Sequence, residues 1–68
     1  MKTVYDVQQL LKKYGTIIYI GNRAADLELM EMEVRQLFES GLIEVQDFQM
    51  AILLLRQETQ REKDKEKI

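Results

Sequence analysis

The 68-residue chain contains no cysteine, histidine, proline or tryptophan, and only three glycines. Each absence removes a class of explanation. Without cysteine there is no disulfide framework and no thiolate nucleophile; without histidine there is no catalytic triad and no imidazole acid–base pair. Only carboxylates, carbonyls and hydroxyls are left as metal ligands, so structural zinc and soft-metal chemistry have no donors here. No cofactor and no small-molecule substrate is suggested by any motif. The glycines, Gly15, Gly21 and Gly41, are spaced as helix boundaries rather than as a phosphate-binding loop. The residues therefore predict a protein without enzymatic machinery of its own.

Long apolar runs are missing as well. Ile17–Ile20 and Ala51–Leu55, the latter preceded by Met50, are the longest, far below the roughly 20 residues a spanning helix needs. The Met1-Lys2-Thr3-Val4-Tyr5-Asp6 start has no apolar leader segment. The expectation is a cytoplasmic chain with no membrane association. At this length the core is small, burying only about 60% of the surface of the unfolded chain. Disulfides being closed off and metals nearly so, oligomerisation stays open as a source of added stability.

Helical patterning is what the sequence has in quantity. Thr3 is a good N-cap, Val4, Val7, Leu10, Leu11 and Tyr14 recur at helical spacing, and Gly15 suits the position just past a C-cap. This predicts a first helix over 4–14. Thr16-Ile17-Ile18-Tyr19-Ile20 is strand-like by propensity, but no second strand candidate exists to pair with it. It is read as an extended connector with some isoleucines pinned into the core. Asn22 caps a second helix over 23–40, whose stripe is Leu27, Met30, Val34, Leu37 and Phe38. The short Gly41–Glu44 link makes the next helix its antiparallel neighbour. That third helix starts near Val45, with Val45, Phe48, Ala51, Ile52 and Leu55 on one side. The fold class is therefore all-α: a small three-helix bundle with a short first helix, an extended connector and an antiparallel helix 2–helix 3 hairpin. Residues 1–60 form the domain, and 61–68 a charged C-terminal extension of the third helix, expected to fray in solution.

Charge is unevenly distributed. The net charge is −2, yet residues 1–23 carry Lys2, Lys12, Lys13 and Arg23 against Asp6 alone, a net +3. Residues 24–60 set two arginines against eight carboxylates, a net −6. All three tyrosines, Tyr5, Tyr14 and Tyr19, lie in the basic third. Cations that track phosphates beside aromatics that stack on bases are the two ingredients of single-stranded nucleic-acid binding. Lys12, Lys13, Tyr19 and Arg23 are the candidate contacts. Tyr14 and Tyr5 are weaker candidates, because their spacing places them on or near the apolar stripe. A plainer reading stands beside this one: Lys12 and Lys13 also complement the helix dipole, and the acidic second helix repels phosphate unless it faces away.

Leu53 and Leu54 widen the apolar arc of the third helix beyond an ordinary stripe. With Met50 they make a candidate homo-oligomer interface, and self-association or protein contact there is the alternative function to nucleic-acid binding.

Several strings in the chain resemble the YqgQ-like family of short bacterial proteins of unassigned role. They are Tyr5-Asp6-Val7-Gln8-Gln9-Leu10-Leu11, Tyr14-Gly15-Thr16, Gly21-Asn22-Arg23, Ala25-Asp26-Leu27-Glu28-Leu29-Met30-Glu31 and the stretch from Phe48 to Arg56. The resemblance runs over nearly the whole length. It implies a three-helix bundle in cytosolic proteins of Gram-positive type, with single-stranded nucleic acid as the suggested ligand, and it brings no catalytic motif.

Overall fold

The computed structural model describes residues 1–66; residues 67–68 of the charged extension lie outside the described residues. Three helices account for most of them: α1 (Val4–Lys13), α2 (Arg23–Glu39) and α3 (Val45–Glu66). Among the described residues there is no strand. The expected all-α three-helix bundle is what the chain forms.

Capping sets the helix ends. At the start of α1 the Thr3 hydroxyl accepts from the Asp6 N–H at 3.3 Å, while the Asp6 carboxylate accepts from the Thr3 N–H at 3.0 Å. This reciprocal box satisfies donors that the first turn would otherwise leave open. Asp6 takes a second bond from the Lys2 N–H at 2.7 Å. The Lys2 and Thr3 backbone donors, in that order, hold its carboxyl below the ordinary value of 3.8. A carboxyl lowered by folding stabilises the native state above its unfolded pKa, and that contribution is lost as pH falls through the folded value. Acid should therefore unwind part of α1, and Asp6→Asn should remove that acid-sensitive step. Helical circular dichroism of both proteins from about pH 5 to about pH 2 checks this.

At the other end of α1, Gly15 has φ +85°. Its N–H donates to the Lys12 carbonyl and the Thr16 N–H to the Leu11 carbonyl, both at 2.9 Å. The same pair of bonds closes α2, from Gly41 (φ +74°) to Phe38 and from Leu42 to Leu37. These are Schellman ends, which need the left-handed conformation that glycine takes without steric cost.

Helices α2 and α3 run antiparallel. Phe38 stacks on Phe48 next to the link, with ring centroids 4.3 Å apart and planes 9° from parallel. Further from the link Glu31 meets Arg56 at 3.3 Å, and at the far end Arg23 meets Glu58 at 3.7 Å. Glu31 also holds Arg35 at 3.2 Å one turn along its own helix. Helix α1 and the connector cover the open side of this hairpin. The core is Val7 and Leu11 from α1, Leu27, Met30 and Val34 from α2, Ile43 from the link, and Ala51 and Leu55 from α3.

Two expectations change here. Val45 is half exposed rather than on the buried side of α3, because the helix starts there and the chain ahead of it leaves no neighbour over that position. Leu54 packs against the core and lines a cleft with Lys2, Thr3 and Val4. It therefore does not share an open surface with Met50 and Leu53, which are exposed, Leu53 at 51%. Covering α3 on two sides absorbs much of the wide arc. The charged extension continues α3 without a break through Glu66, and Lys65 pairs with Glu62 at 3.3 Å.

Candidate nucleic-acid interface

The connector is positioned by both of its ends. The Gly15 end turns the chain off the tip of α1. Ile18 packs against the core, and the Ile20 N–H donates to Asp26 Oδ1 at 2.9 Å. Asp26 is the one buried charged side chain among the described residues, at 6% exposure. By position it is a first-turn carboxylate that complements the helix dipole, but its oxygen also ties the connector to α2. Removing the acceptor leaves a half-buried N–H unpaired, at a cost of about 1–3 kcal/mol. Asp26→Ala should lower the urea midpoint accordingly, whereas Asp26→Asn, which keeps the carbonyl oxygen, should lose less.

Held this way, Thr16–Tyr19 form one wall of a groove of about 270 Å³, and α1 forms the other. Gln8, Gln9 and Lys12 line the α1 side, Ile17 and Tyr19 the connector side, and buried Leu11 and Met30 the floor. Tyr19 is 84% exposed. No carboxylate occurs among the described residues that line the groove, although the chain has 12 acidic residues against 10 basic ones. Of the acidic side chains on α2 and α3, Glu31 is paired with Arg35 and Arg56, Glu58 with Arg23 and Arg61, and Asp26 accepts from the Ile20 N–H at the end of the connector.

The four candidate contacts separate in space. Lys12 and Tyr19 lie on the same groove. Lys13 is exposed on the last turn of α1 but is not among the lining residues. Arg23 opens α2 and faces α3, where Glu58 partly neutralises it. Tyr14 donates its hydroxyl to the Leu42 carbonyl at 2.9 Å, a link between α1 and the helix hairpin, and it does not line the groove. Tyr5 is the opposite case. At 64% exposure it points away from the core, because it sits about 100° round the helix from Val4. Gln8 and Gln9 enter the site unannounced by the sequence, where nothing marked them as more than spacers between Val7 and Leu10.

A family model for YqgQ-like proteins matches residues 1–61, across all three helices and the groove. The chain belongs to the YqgQ-like family. A relative from Bacillus subtilis (strain 168), described as uncharacterized protein YqgQ, is 41% identical over 64 residues, covering 94% of this chain and 90% of that protein. In this YqgQ-like chain no described helix is long and apolar enough to cross a membrane.

Proposed function

We propose that this protein is a small non-enzymatic module that binds single-stranded nucleic acid in the groove between α1 and the connector. The observation that carries the reading is the pairing of Lys12 with an outward-facing Tyr19 in a carboxylate-free groove of an acidic protein. Lys12 supplies the phosphate contact, Tyr19 the stacking face, and Gln8 and Gln9 amide donors and acceptors for sugar or base edges. Lys13 and Arg23 act from outside the groove by raising the local positive potential, Arg23 with its charge shared by Glu58. A cysteine-free chain suits a reducing compartment, and the proposed site of action is the cytoplasm.

Fluorescence anisotropy of a labelled oligonucleotide, titrated at low and then physiological salt, tests the reading. Binding that weakens with salt is expected, with a slope of about −0.7 per phosphate neutralised on a single strand. No binding at low salt removes the proposal and turns attention to α3. There Met50 and Leu53 are exposed, which favours the second reading, a structural or adaptor protein working through protein contacts. Leu53→Glu, not Leu54→Glu, is the variant that separates the two readings, since Leu54 is partly buried against the core.

A further inference from the structure

The connector has a second property that nucleic-acid binding does not use. Its N–H groups are engaged only at alternate ends of the run: Thr16 donates to the Leu11 carbonyl and Ile20 to Asp26, both at 2.9 Å. In an extended chain successive N–H groups point to opposite edges. Thr16, Ile18 and Ile20 therefore share the inner edge, and Ile17 and Tyr19 share the outer one. Among the described residues, the N–H groups of Ile17, Ile18 and Tyr19 meet no acceptor within the chain, and the alternation turns those of Ile17 and Tyr19 to the outer edge. Their side chains stand on the exposed face, 78% and 84% accessible, while Ile18 faces the core. An open edge of this kind is a template for another strand, and proteins that keep such edges free commonly place lysine or proline on them. Thr16–Ile20 carries neither.

We propose that this edge docks a second copy of the same chain by antiparallel pairing of the two Ile17–Tyr19 segments. The sequence is complementary to itself in the required register. A two-fold axis through Ile18 sets Ile17 opposite Tyr19 of the second copy and Tyr19 opposite Ile17. Those two pairs are the ones whose N–H and C=O groups face outward, so each exchanges two hydrogen bonds, four in all. Both are β-branched–aromatic pairs, the favoured cross-strand combination. A strand of unrelated sequence would satisfy the hydrogen bonds but not both side-chain pairs. Gly15 and Gly21, each with positive φ, bend the chain away at either end and limit the ladder to this segment. The contact is isologous, as closed dimers are. Its ladder is short, and interfaces well below the standard size are weak and transient.

This inference shares Tyr19 with the nucleic-acid reading but does not rest on it, and its test contains no oligonucleotide. Light scattering of the full chain from dilute to concentrated solution should show the mass rising toward twofold. In parallel, amide exchange followed by NMR should slow several-fold at Ile17 and Tyr19 as concentration rises, with Ile18 unchanged. Ile17→Pro, which deletes an outward N–H, should remove the mass increase while leaving the helical signal intact. If that variant unfolds, the exchange pattern of the unaltered protein decides by itself. A constant monomer mass at every concentration overturns the proposal. So does a doubled mass in which Ile17 and Tyr19 exchange as fast as in dilute protein, since the contact then lies elsewhere, for instance at Leu53.

Discussion

Replacing Leu55 with alanine should cost about 2–5 kcal/mol, the range for truncating a fully enclosed leucine. Leu55 has no exposed surface and sits in the cluster that joins α3 to α1 and α2. For a 68-residue chain the whole stability is of order 0.05–0.15 kcal/mol per residue, so about 3–10 kcal/mol. The substitution removes a large share of that. The expected result in thermal denaturation is a fall of tens of degrees, or a protein already partly unfolded at room temperature. Leu53→Ala, two residues away on the half-exposed side, should change stability by no more than about 0.5 kcal/mol. Equal effects from the two would show that α3 does not pack in the register described.

The second large effect concerns binding. Tyr19→Ala should weaken single-stranded oligonucleotide affinity by about 1–3 kcal/mol, roughly 5- to 150-fold, if one base stacks on its ring. Tyr19→Phe keeps the stacking face and should lose much less. Lys12→Ala should both weaken binding and flatten the salt dependence by about 0.7 in slope. Arg23→Ala should do less than Lys12→Ala, because Glu58 already holds the guanidinium at 3.7 Å. All of these side chains are exposed, so none of the variants should lower the denaturation midpoint by much. Tyr14→Phe is the useful contrast: it breaks the hydroxyl bond to Leu42, and should act on stability while leaving affinity nearly unchanged.

Much of the fold was legible because local signals agreed. Thr3, Asn22, Gly15 and Gly41 marked helix ends by chemistry that operates within a few residues, and the structure uses each of them at that place. The stripes of α1 and α2 were equally plain, since Val7, Leu11, Leu27, Met30 and Val34 all recur at the helical period and all are buried. What the sequence hid depends on contacts between distant segments. That Asp26 reaches back to Ile20, or that Glu31 meets Arg56, follows from the path of the connector and the rotation of α3, neither of which any local spacing encodes.

The candidate site was legible in part for the same reason. A basic, tyrosine-bearing third of the chain can be counted from residues alone. Its division into a groove pair, Lys12 with Tyr19, and two outlying cations, Lys13 and Arg23, is a matter of facing. Tyr5 and Tyr14 look alike in sequence, yet one is open to solvent and the other is tied to the link between α2 and α3. The wide apolar arc of α3 read as a surface because helical periodicity counts faces without knowing how many neighbours cover them. Leu54 is covered and Leu53 is not.

The most direct test of the proposed site is an NMR titration of the isotope-labelled protein with a short single-stranded oligonucleotide at low salt. Shift changes gathered on Gln8, Gln9, Lys12 and Ile17–Tyr19, with α3 beyond Leu55 unmoved, are the expected result. Changes gathered instead on the outer face of α3 around Met50 and Leu53, or none at any oligonucleotide concentration, would contradict the assignment of the groove.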